Sequence, residues 1–96
     1  NLEVGDRFIL LNSGSNSGDG GIIVQHGTTA SGSGYGYDVS ANRWGFTKSG
    51  SMGKNATTIA PEAYVSAVVT DDNEAEFRKN GNIQVDSSGD IFIYVE

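Results

Sequence analysis

His26 is the chain's single histidine, and serines and aspartates are plentiful around it. Nucleophilic catalysis would need a serine within reach of that ring and a carboxylate to orient it. No G-x-S-x-G elbow is present, and His26 closes an apolar run beside a Gly/Ser stretch. A structural or solvent-facing histidine therefore outweighs a catalytic one. Gly32-Ser-Gly-Tyr-Gly36 has the glycines of a phosphate loop, but neither the Lys-Ser/Thr pair nor a following helix. Asp71-Asp-Asn-Glu74 offers the oxygens that Ca²⁺ takes without the spacing of a calcium loop, so it reads as a turn. Asp38, Asp86 and Asp90 fall in expected hairpin turns, where a carboxylate has backbone partners of its own. Nothing marks two of them as the pair used in glycoside hydrolysis. No catalytic residue, metal ligand or cofactor is expected.

The richer signal is aromatic. Tyr35-Gly36-Tyr37 and Trp44-Gly45-Phe46 flank the stretch 38–43. Aromatic, glycine, aromatic on each arm with a turn between is a hairpin signature. Period-two alternation then gathers the four rings on one face, and the glycines leave the other face bare for close backbone approach. Tyr35, Tyr37, Arg43, Trp44 and Phe46 are thus the candidates for a binding site or interface. With Asp38 and Asn42 nearby, the rings could stack on sugars while the polar groups bond to hydroxyls. Packing within the module or against a neighbouring subunit is the stronger reading, because these rings are much of the available core.

Other elements must position the rings. In 96 residues, 36% are hydrophobic, 14 are Gly and one is Pro, which points to a small domain with many turns and a modest core. The net charge of −6 is not offset by any basic stripe, so neither nucleic acid nor membrane insertion is expected. With no cysteine, no disulfide is available. Residues 1–4 show neither an initiator Met nor a signal pattern, and more chain is expected before Asn1.

Residues 7–11 read as a strand covered on both sides, with Phe8 and Leu10 on one face and Ile9 and Leu11 on the other. Residues 12–20 and 27–34 read as exposed loops, and 21–26 as a second strand that points Ile22 and Val24 one way. A polar linker over 48–58 and a bend at 59–62 precede a strand over 63–70, for which helix is the alternative. Runs at 74–79, 82–86 and 90–95 predict a three-stranded antiparallel meander. Its first turn, Asn80-Gly81, should need positive φ at both positions. The fold expected is all-β: a small antiparallel sandwich or meander-type module with Gly/Ser-rich loops. Its organisation is a β module with the aromatic hairpin over 1–50, a linker or bend over 51–62, and a strand plus meander over 63–96, together one compact unit.

The first half resembles a module common in structural proteins of tailed bacteriophages, particularly those of marine and cyanobacterial hosts. Phe8-Ile-Leu-Leu-Asn-Ser13, Gly18-Asp-Gly-Gly-Ile-Ile-Val24, Gly34-Tyr-Gly-Tyr-Asp38 and Asn42-Arg-Trp-Gly-Phe-Thr47 carry the likeness. The tail, Lys79-Asn-Gly-Asn-Ile-Gln-Val-Asp86 and Ile91-Phe-Ile-Tyr-Val-Glu96, looks like the closing segment of such proteins. The polar stretch 48–58 departs from the pattern. The resemblance implies a virion component of fibre, baseplate, neck or head decoration, often a homotrimer whose β elements share a core. It supplies no catalytic residues. The expected mechanism is assembly: Phe8, Leu10, Ile22, Val24, Tyr37, Trp44, Phe46, Ile91 and Ile93 become buried against identical subunits or neighbouring virion proteins. The alternative is the receptor- or carbohydrate-binding tip of a phage fibre, with Tyr35, Tyr37, Arg43 and Trp44 facing a host-surface glycan. A depolymerase is a distant third, since it requires two convergent carboxylates.

Overall fold

A computed structural model describes residues 1–15, 17–70 and 75–96. The chain is all-β, and it divides into two compact units, Asn1–Tyr64 and Val65–Glu96.

The first unit is built on one antiparallel sheet. Its strands are β1 (Gly20–Gln25), β2 (Ser31–Asp38), β3 (Arg43–Phe46), β4 (Met52–Gly53) and β5 (Ala63–Tyr64). The order is β1-β2-β3-β5, with β4 paired to β2 beyond the end of β3. The β2–β3 connection closes with Asn42 at φ 52, a left-handed position that asparagine tolerates. Asp38 accepts hydrogen bonds there from Ser40 N (3.0 Å) and Ser40 Oγ (2.6 Å). This is the local turn chemistry expected of that aspartate.

Register fixes two unlike faces. Tyr35 opposes Phe46 and Tyr37 opposes Trp44, while Ile22 opposes Tyr35 and Val24 opposes Ser33. All of these side chains therefore share one face. On the other face Gly36 opposes both Gly21 and Gly45. That glycine face is where the core lies. A Cβ on Gly34 would lie 2.1 Å from Met52 Sδ, and one on Gly45 would lie 2.6 Å from Pro61 Cβ. Ile59, only 6% exposed, lies across Gly34 and Gly36. The stretch 51–62, expected as a linker or bend, thus gives the first unit β4 and the covering layer of its sheet.

Two expectations for this unit are corrected. Residues 7–11 form no strand: Phe8 is 89% and Leu10 80% exposed. A strand exists only where a neighbour supplies ladder bonds, and this apolar run finds no such neighbour among the described residues. The loop expected over 27–34 ends early, because β2 begins at Ser31. Gly32 and Gly34 are buried strand positions, and the resemblance of 32–36 to a phosphate loop is only compositional.

The second unit has β6 (Val68–Val69), a 3₁₀ turn η1 (Ala75–Phe77), β7 (Ile83–Val85) and β8 (Ile91–Ile93), in sheet order β6-β7-β8. β7 and β8 form the expected antiparallel hairpin, with Ile83 opposite Ile93 and Val85 opposite Ile91. Its turn is held by Asp86 Oδ1, which accepts from Ser88 N and Asp90 N at 2.9 Å each. The rest of the meander is corrected. The run at 75–79 contains the 3₁₀ turn, and the third strand is β6, which pairs with β7 in parallel. The strand expected over 63–70 is accordingly split between the two units. In the Lys79–Asn82 turn only Gly81 has positive φ (84), as a type II turn needs at its third residue. The stretch 71–74 lies outside the described residues.

Asn82 anchors this second sheet. It is 3% exposed; its Oδ1 accepts from Ala67 N (2.9 Å) and its Nδ2 donates to Phe77 O (2.8 Å). Asn82→Ala would leave both backbone groups without that partner and should lower stability by about 2 kcal/mol. Urea titration checks this. A midpoint equal to that of the unaltered chain would show the bonds to be dispensable.

Candidate functional site

The four rings form one continuous row. Tyr35 stacks on Trp44 with centroids 5.4 Å apart and meets Phe46 at 4.7 Å; Tyr37 meets Trp44 at 5.6 Å. These separations are those of attractive aromatic pairs. Trp44 is 45% and Phe46 48% exposed, so the row is a surface feature, and the core of this unit is elsewhere. Ile22 and Val24 extend the same exposed face across β1. At the Tyr37–Trp44 end, a groove of about 460 Å³ opens between the rings and the segment that carries Ile9, Leu10 and Leu11.

Arg43 is not with them. Neighbouring strand residues point to opposite faces, and the Arg43 guanidinium lies 4.9 Å from the centroid of the Tyr64 ring. Asp38 is on that same face and accepts from Tyr64 Oη at 2.7 Å. The two charged groups expected to reach ligand hydroxyls beside the rings are therefore committed to Tyr64. Asn42 stays near the row, with Tyr37 Oη donating to its Oδ1 at 3.3 Å.

The Asp38–Tyr64 bond links stability to pH. Ser40's hydroxyl lowers the Asp38 pKa most, burial opposes it, and the Tyr64 hydroxyl lowers it further. Tyr64 is shifted up, first by its bond to Asp38 and then by burial. A depressed carboxylate contributes stability above its unfolded pKa and loses it as pH falls through the folded value. A raised phenol contributes below its unfolded pKa and loses that as pH rises through the folded value. The melting temperature should therefore fall below about pH 4 and again above about pH 10. Tyr64→Phe should flatten part of the alkaline decline; a Tyr64→Phe profile parallel to that of the unaltered chain at high pH would remove this assignment.

Two further carboxylates act at long range. Asp19 Oδ1 accepts from Val39 N and its Oδ2 from Ile59 N, each at 2.8 Å. It thereby joins the β2–β3 turn to the covering layer. Glu62 accepts from Lys48 N (2.8 Å) and Ser51 Oγ (2.9 Å). These bonds, Lys48 N first, hold its pKa below the ordinary value. Sequence reasoning singled out neither residue for these roles, nor Tyr64. Nothing in their spacing signals them, since each partner lies more than ten residues away.

His26 Nε2 lies 2.8 Å from Ser33 Oγ and 3.5 Å from Ser49 Oγ. Among the described residues no carboxylate bonds to this imidazole, so the pair lacks the orienting group that would make serine a nucleophile. Also among the described residues, no group of three or more His, Asp or Glu side chains could hold a metal ion. No protein-family model, no curated protein and no solved structure matches this chain.

Proposed function

We propose that this chain is a structural module of a tailed-bacteriophage virion and acts by subunit assembly, without catalysis. The observation that carries the assembly reading is the imbalance between the two faces of the first sheet. The glycine face is already covered by Met52, Ile59 and Pro61, whereas the face with the rings, Ile22 and Val24 is open to solvent. Among the described residues the buried hydrophobic side chains are Ile59 and Val69 alone, a small core for 96 residues. Covering the open face with another subunit supplies the missing burial. The virion assignment rests on the motif resemblance at 8–13, 18–24, 34–38 and 42–47. The test is the mass of the purified chain by light scattering over a dilution series. A fixed oligomer that persists on dilution supports assembly, and a species of 10.1 kDa at every concentration refutes it.

A glycan-binding tip is the second reading, favoured by the half-exposed Trp44 and the ring-lined groove. It is weakened by the engagement of Asp38 and Arg43 on the opposite face. A shift of Trp44 fluorescence on adding host-surface polysaccharide supports it; an unresponsive tryptophan removes it.

A further inference from the structure

The two edges of the first sheet are unlike. β5 is two residues long and follows Pro61 and Glu62, both of which discourage pairing with another strand. β1 is six residues long, Gly-Gly-Ile-Ile-Val-Gln, with neither charge nor proline. Its outer side is an unguarded row of backbone donors and acceptors, of the kind that recruits a further strand. The same chain carries an unpaired strand-like run, Phe8-Ile-Leu-Leu11, apolar on both alternating faces. That pattern suits a strand enclosed on both sides, yet among the described residues no hydrogen bond joins 1–11 to the rest of the chain.

From this we infer that residues 7–11 of one copy pair with the β1 edge of a second copy, adding a strand to its sheet. The inference rests on the assembly reading above and names the contact through which assembly occurs. One apolar row of the incoming strand then continues the face of Ile22, Val24 and the rings, and the other continues the face that bears Ile23. The area is adequate. At their observed exposures, the four donor side chains hold on the order of 500 Å² of accessible surface, taking ~150–200 Å² for each when fully open. Where two copies exchange segments reciprocally, the donor surface and the strip covered on the acceptor add within one interface and approach the ~800 Å² per partner of a stable complex; in a larger ring each contact holds one segment and is smaller. A donor-to-acceptor contact of this kind closes into a ring where the rotation allows.

The test uses the full chain and its variants, with mass by light scattering and fold by circular dichroism. Phe8→Asp/Leu10→Asp alters the donor; Val24→Lys places a guard on the acceptor edge at an exposed site. Asn55→Asp/Ser87→Asp adds the same charge as the donor variant at exposed positions outside both segments. The expected result is a rise of at least tenfold in the dissociation midpoint for the donor and acceptor variants, with unchanged circular dichroism, and no rise for the control. Because the chain has no cysteine, mixing Leu10→Cys copies with Ile22→Cys or Val24→Cys copies gives an independent readout. A mixed disulfide that forms at dilution is expected. An oligomer that ignores both the donor and acceptor variants overturns the exchanged strand while leaving assembly intact, as does failure of every mixed disulfide. A monomeric unaltered chain overturns the assembly reading itself.

Discussion

Gly45→Val should unfold the first unit at markedly lower denaturant, with a loss of about 3 kcal/mol, the upper end of overpacking effects. A Cβ at this position would lie 2.6 and 2.8 Å from Pro61 Cβ and Cγ and 2.9 Å from the Ala63 carbonyl oxygen. None of these atoms belongs to a flexible side chain. Either the proline ring leaves the sheet or β5 separates from β3, with which it pairs through Gly45–Tyr64 and Phe46–Ala63. Against a total stability of about 5–15 kcal/mol for a typical domain, that loss is large. Urea unfolding followed by Trp44 fluorescence reads it directly, and Gly45→Ala should move the midpoint in the same direction by less. A valine variant within about 0.5 kcal/mol of the unaltered chain would mean that Pro61 does not cover the sheet in solution.

Asp19→Ala should be nearly as damaging, at about 2–3 kcal/mol. Hydrogen bonds to a charged acceptor contribute about 1.5–3 kcal/mol each; Asp19 makes two and is itself partly exposed, which lowers the figure. The effect should also be localised. Hydrogen exchange at the Val39 and Ile59 amides should accelerate together in Asp19→Ala. In Asp19→Asn, which keeps one acceptor oxygen, only one of the two should accelerate. If neither amide responds to the alanine substitution, Asp19 is not the tie between the turn and the covering layer.

The parts of the fold that were legible in the sequence are those written locally. Aromatic, glycine, aromatic on each side of a six-residue interval determines both the hairpin and the face shared by its rings, because alternation along a strand is strict. The 83–93 hairpin was legible for the same reason, with Asp86 and Gly89 marking its turn. Placing Arg43 in the same site as Trp44 went against that alternation: adjacent strand residues cannot share a face, and Arg43 meets Tyr64 instead. The run at 7–11 has strand composition, but pairing is a property of two segments, and composition does not reveal whether the second is present. Gly32 and Gly34 have loop composition, yet the Val24 carbonyl approaches so closely that a strand residue at 32 must be glycine, and Met52 packs against Gly34. The parallel pairing of β6 with β7 and the ties made by Asp19 and Glu62 are long-range, and no short window contains them.

The side of the first sheet that bears the rings has no charged strand residue: its side chains are those of Ile22, Val24, Ser31, Ser33, Tyr35, Tyr37, Trp44, Phe46 and Ala63. A contact made through such a surface draws on the release of water, which near room temperature is an entropic gain with a negative heat-capacity change. It therefore weakens on chilling, strengthens with sulfate, and responds little to sodium chloride despite a chain charge of −6. A complex joined through this face would come apart in the cold and re-form on warming.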